Sequence, residues 1–105
     1  MSRSQRIKGK VGEREFAKLL IEYGFDARRD GRLDDDLSHD VPGAHIEVKR
    51  RERLDIPAWL KQTEADAKGR DPILAFRTNG QPWRCVVDAK FLLALLAYVH
   101  RDRVS

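Results

Sequence analysis

The chain has almost no cysteine. Cys85 is the only one in 105 residues, which excludes an internal disulfide and any cysteine-based zinc site. Histidine is sparse too, and His39, His45 and His100 do not fall at the spacing of a histidine metal motif. Long hydrophobic runs are missing: the longest, residues 91–99, falls well short of the about 20 residues that a membrane-spanning helix requires. The N-terminus is charged and has no apolar stretch of the kind a secretory signal carries. There are no internal repeats and no low-complexity linkers. Disulfide-stapled secreted domains, zinc fingers and membrane proteins are thereby excluded, and a reducing, cytoplasmic setting is expected.

Charge, in contrast, is abundant. Charged residues make up 36% of the chain and hydrophobic residues 41%, the balance of one soluble domain with one modest core. Lys and Arg number 21 against 17 Asp and Glu, a net charge of +4 that favours polyanions as partners. Residues 1–10 hold Arg3, Arg6, Lys8 and Lys10 and no acid, and read as a mobile basic arm ahead of a single domain over 11–105. The densest basic patch is Lys49, Arg50, Arg51 and Arg53.

That patch adjoins the most informative stretch, residues 40–49. Its end reads as a strand, in which Ala44, Ile46 and Val48 share an apolar face while His45, Glu47 and Lys49 share a polar one. Asp40 lies ahead of Glu47 across the Pro42-Gly43 turn signal, so a strand that turns back would bring a second carboxylate beside Glu47. Two oxygen ligands beside a lysine suit a hard divalent cation and its activated water. The competing reading of the same residues is a half-buried strand with a solvated polar face.

Residues 11–23 carry Phe16, Leu19, Leu20 and Tyr23 at helical spacing, with Gly24 as the stop. At roughly 100° per residue, Glu13 falls on the apolar stripe, whereas Glu15 and Glu22 fall on the opposite side. Residues 25–29 suggest a short strand ending in Arg28 and Arg29, and 30–39 a loop with the acidic run Asp34, Asp35 and Asp36. Any of these aspartates is an alternative to Asp40 as a ligand. Residues 57–68 form a second helix, with Pro57 at its first turn, Gly69 at its end and a buried stripe of Trp59, Leu60, Thr63 and Ala67. Gln62 and Lys68 are its polar candidates for ligand contact. The runs 72–76 and 83–87 flank an Asn79-Gly80 hairpin signal and are apolar enough to be covered on both faces. Asp88 caps a third helix, 89–99, that is apolar almost all round and therefore calls for a partner, most simply a second copy through Phe91 to Val99. The order helix, strand, strand, strand, helix, strand, strand, helix predicts an α/β domain with a mixed central sheet flanked by helices.

The segment Lys8-Gly9-Lys10-Val11-Gly12-Glu13-Arg14-Glu15-Phe16, followed by a Leu-rich helix and Gly24-Phe25, resembles the opening helix of the archaeal and phage Holliday junction resolvases. Asp40 with His45-Ile46-Glu47-Val48-Lys49-Arg50 resembles their nuclease motif, that of the PD-(D/E)xK or restriction-endonuclease-like superfamily. The likeness runs on through Gln62, Asp66-Ala67-Lys68 and the late hairpin with Trp83. It implies a restriction-endonuclease-like fold and a catalytic set of Glu13, Asp40, Glu47 and Lys49. Mg²⁺, replaceable by Mn²⁺, would be held by Asp40, Glu47 and the Val48 carbonyl, and Lys49 would orient or deprotonate the attacking water. It also implies a homodimer acting on branched DNA in a prokaryotic or phage-infected cell. Arg6, Lys8, Lys10, Arg28, Arg29, Arg50, Arg51, Gln62 and Lys68 are the expected DNA contacts. A nuclease for flap or duplex DNA, and a non-catalytic DNA-binding module, are the alternatives.

Overall fold

In the computed structural model, the described residues form three helices and five strands, in the order α1 (Arg3–Glu22), β1 (Ala27–Asp30), β2 (Asp36–His39), β3 (Ala44–Arg50), α2 (Ile56–Ala67), β4 (Asp71–Arg77), β5 (Arg84–Val86) and α3 (Ala89–Val104). The structure describes residues 3–30 and 36–104, and side chains over 10–28 and 37–103. The protein is thus of mixed α/β class. In place of one central sheet there are two: a mixed sheet in the order β3-β4-β5, and a separate antiparallel pair β1-β2. The segment expected to be a loop up to His39 contains β2, whose register on β1 sets Ala27 opposite His39 and Arg28 opposite Ser38. Its sequence, Asp-Leu-Ser-His, has little strand propensity of its own, so pairing decides its form. Asp34 and Asp35 lie outside the described residues.

The first helix begins at Arg3 rather than at residue 11, so the basic segment continues the helix instead of forming a separate arm. It ends as the sequence anticipates. Gly24 has φ +92°, the Phe25 N–H donates to the Leu20 carbonyl at 3.0 Å and the Gly24 N–H to the Ile21 carbonyl at 3.0 Å. This is the Schellman arrangement, with Phe25 folded back toward the core. Gly12 lets the helix approach the sheet closely: a β-carbon there would meet the Arg50 Cβ at 2.7 Å.

Phe16 and Leu20 of α1, Ile46 of β3 and Ala75 of β4 form the core, joined by Val48, Ile73, Ala27, Leu37 and Trp83. Phe16 meets Trp83 edge-on, with ring centroids 5.2 Å apart. The apolar face of β3 therefore packs under α1, as its alternation requires. The parallel pair β3-β4 needs a crossover, and α2 supplies it. Asp55 accepts a hydrogen bond from the Ala58 N–H at 3.4 Å at the start of α2, and Thr63 and Ala67 are its buried residues. Leu74, in register with Glu47, is fully buried. Coverage on both faces holds for β4, where Leu74, Ala75 and Phe76 are buried, but not for β5, where Arg84 and Cys85 are exposed.

Helix α3 extends beyond residue 99 to Val104, and residues 92–103 are all exposed, Leu93 at 61% and Tyr98 at 72%. Among the described residues, no helix is long and apolar enough to cross a membrane.

Candidate active site

The site is built on the polar face of β3. Alternation puts His45, Glu47 and Lys49 on one side of the strand, and all three are half-buried. Helix α2 brings a fourth group. Lys68 and Gly69 take the left-handed conformation at φ 49° and +87°, ending the helix abruptly. The Asp71 N–H then donates to the Gly43 carbonyl at 2.8 Å, so the chain re-enters the sheet beside the start of β3. Asp66, near the end of α2, is thereby carried to the polar face of β3.

One ligand atom each from His45, Glu47 and Asp66 lies within 4.8 Å of the others, a spacing one metal ion can bridge after small side-chain adjustment. His45 Nε2 stands 3.0 Å from Glu47 Oε1, with side chains only 15% and 17% exposed. An Arg70 Nη2 faces His45 Nδ1 at 3.4 Å. Since arginine only donates, this contact assigns the ring's proton to Nε2, which donates to Glu47. Arg70 is itself held by the Ala67 carbonyl at 2.9 Å and the Asp66 carbonyl at 3.2 Å.

Burial pushes the Glu47 carboxyl above its ordinary 4.5, and the hydrogen bond with Asp66 pushes the same way. The hydrogen bond from His45 and the charge of Lys49 oppose this. Two carboxylates sharing a hydrogen bond need a proton on one of them or a cation between them. His39 is held below 6.5 by burial and by the neighbouring His45 and Arg70, with Asp40 opposing. Its Nδ1 accepts the Val41 N–H at 3.1 Å.

The raised carboxyl of Glu47 makes a stability prediction. A carboxyl whose folded value lies above its unfolded value stabilises the fold fully below about 4.5, and that contribution is lost as pH rises through the folded value. With EDTA present, Glu47→Gln should therefore melt higher than the parent at pH 7, and the gap should close toward pH 4. Thermal denaturation across that range checks it, and a variant that melts lower at pH 7 would contradict it.

The other residues expected at the site do not belong to this converging group. Asp40 is not in the converging group: its Oδ1 accepts the Asp26 N–H at 2.8 Å and its own N–H donates to the Asp26 carbonyl at 3.1 Å, closing the β1-β2 hairpin. With Asp26, Arg28, Ser38 and His39 it lines an open pocket alongside. The carboxylate that accompanies Glu47 is Asp66, because a helix end, not the preceding turn, reaches the polar face. Glu13 is buried, at 3% exposure, on the helix that covers the apolar face of β3. Val48 packs its side chain on the core.

Among the expected DNA contacts, Lys10, Arg28, Gln62 and Lys68 are exposed, and the side chains of Arg6, Lys8 and Arg29 lie outside the described residues. Arg51 donates to the Arg50 carbonyl at 3.1 Å. Arg50 is engaged internally: its Nε donates to Glu15 Oε1 at 3.1 Å, while Arg77 Nη1 donates to Glu15 Oε2 at 2.7 Å. Glu15, expected on the solvent side of its helix, is instead half-buried between these two arginines. His45 was legible beside Glu47 on the strand face but not as a ligand, and Asp66 only within the stretch that carries the resemblance; nothing in the sequence pattern singles out Arg70. No family model matches the chain, and no curated protein matches it.

Proposed function

We propose that the protein is a divalent-cation-dependent endonuclease of the restriction-endonuclease-like type that resolves four-way DNA junctions. The observation that carries this reading is the company of Glu47: Lys49 on the same strand face, Asp66 and His45 converging on it, in a chain of net charge +4. The donor set of two carboxylates and an imidazole fits a divalent cation, which Glu47, Asp66 and His45 would hold. When bound, such an ion polarises a phosphoryl oxygen and makes a coordinated water nucleophilic near neutral pH.

The protein's own groups do the rest. Lys49 supplies a fixed positive charge where the attacked phosphate gains negative charge, and it can hold a proton of the attacking water. Leu74, fully buried in register with Glu47, makes an apolar floor under the half-buried Glu47 and Lys49, which weakens the screening of their charges on that side. Exposed Lys10, Arg28 and Lys68 engage the phosphate backbone without reading sequence. Two cuts at one junction need two such centres, and the exposed apolar length of α3 offers the surface for pairing two copies.

The test compares four-way junction, flap and plain duplex DNA under Mg²⁺ and under Mn²⁺ with purified protein. Preferential paired incision of the junction is the expected result. Faster cutting of flap or duplex would keep the nuclease and replace its substrate; steep salt-dependent binding with no cutting of any substrate would leave only a binding module. Light scattering at micromolar concentration should report a dimer.

A further inference from the structure

Resting on the reading of the β3 polar face as the reaction centre, we infer that His45 is a metal ligand that makes this site selective for a first-row transition cation such as Mn²⁺ over Mg²⁺. Mg²⁺ demands oxygen donors in near-ideal octahedral array and gives up its waters reluctantly. An imidazole among the ligands favours ions that accept nitrogen. In this protein the nitrogen is not incidental. His45 Nε2 lies 3.0 Å from Glu47 Oε1, inside the group whose ligand atoms fall within 4.8 Å of one another.

The ring is also placed rather than free to turn away. It projects from a paired strand, His45 standing in register with Pro72. Its side chain is 15% exposed, and its far nitrogen faces Arg70 at 3.4 Å. Arg70 is fixed in turn by the carbonyls of Asp66 and Ala67, so the ring and the Asp66 carboxylate are set by the same helix end. A cation on Nε2 would displace the proton that this nitrogen gives Glu47 and put it on Nδ1, so Arg70, which only donates, would have to turn aside on binding. Among the described residues three side-chain donors converge, which leaves coordination positions for water and a phosphate oxygen.

The test uses the full chain and the metals alone, without DNA. Loss of the free Mn²⁺ signal in electron paramagnetic resonance measures Mn²⁺ binding, and competition by Mg²⁺ gives the ratio of the two affinities. Pulsed resonance of the Mn²⁺ complex should show coupling to a directly bound ¹⁴N. His45→Ala should abolish that coupling and lower Mn²⁺ affinity on the order of tenfold or more while lowering Mg²⁺ affinity less, so that the ratio narrows. Asp66→Asn should weaken both ions and keep the nitrogen coupling. If His45→Ala does not fold, His45→Gln and the parent's own ¹⁴N coupling decide the matter. A parent complex without nitrogen coupling, or an unchanged Mn²⁺ to Mg²⁺ ratio in a folded His45 variant, overturns the inference. Nitrogen-ligated Mn²⁺ binding in a protein that cuts no DNA supports it while removing the nuclease reading. Junction cutting by a complex that shows no nitrogen coupling does the reverse.

Discussion

Lys49→Ala should slow junction cleavage by about 10²–10³ while leaving junction binding nearly intact. A single fixed charge placed at developing negative charge contributes about 10²–10³ in rate. Lys49 is half-buried on β3 beside Glu47, so its charge is weakly screened there. Glu47→Ala should cost more, because it removes a proposed ligand of the ion and leaves Asp66 and His45 without the group between them. Binding should survive both changes, since affinity for the backbone is spread over many phosphate contacts. It should even tighten for Glu47→Ala, which deletes a negative charge. Lys49→Arg keeps the charge but not the shape of the amine, and should recover only part of the rate. Single-turnover cleavage and gel-shift titration on the same labelled junction separate the two quantities. Parental cutting by Lys49→Ala would remove β3 as the reaction centre.

The largest loss of stability is expected at Leu74. It is fully buried in β4 between α2 and its strand neighbours, on the face that carries Glu47 in the adjacent strand. Leu74→Ala should cost about 2–5 kcal/mol, the range for a leucine truncated where the surroundings cannot collapse. In a domain this small that is a large share of the total, and the melting temperature should fall by about 4–8 °C for each kcal/mol. Leu93→Ala is the control: at 61% exposure it should change the stability of a single copy by no more than about 0.5 kcal/mol. Urea denaturation of both variants settles the comparison. A Leu74→Ala protein as stable as the parent would mean that the floor of the site is not the packed layer described above.

The burial of Leu74 and the raised carboxyl of Glu47 have one cause. Closing α2 over the polar face of β3 takes water away from Glu47 as well as from its apolar neighbour. Stability gained by the layer is partly offset by a carboxyl held where it ionises reluctantly, and a bound cation would relieve that cost. The expected rise in melting temperature for Glu47→Gln and the expected loss of cleavage for Glu47→Ala are thus two readings of one arrangement.

Local chemistry was legible wherever one element sufficed. The face alternation of β3, the glycine stop of α1 at Gly24, the proline in the first turn of α2 and the inward aim of Glu13 are properties of spacing and backbone preference, and the structure shows each of them, while the left-handed cap of α2 falls on Lys68, one residue before the expected Gly69. The start of α1 was misread because a run of Arg and Lys carries no apolar period, although those side chains are good helix formers. Glu15 was misread because a helical wheel separates a solvent side from a core side but cannot foresee arginines arriving from β3 and β4.

The sequence by itself determined the α/β class and the strand that presents Glu47 and Lys49, because a period of two along an extended chain needs no partner to fix which side chains lie together. Which carboxylate joins them was decided only by tertiary structure. Asp40 is nearer in the chain, yet its side chain is taken up by the backbone of Asp26, while Asp66 arrives on the end of a crossover helix. The splitting of the strands into two sheets and the pairing of Glu15 with two arginines were decided in the same way. Each depends on segments distant in sequence being brought together by burial of the core, and no spacing within one segment encodes that.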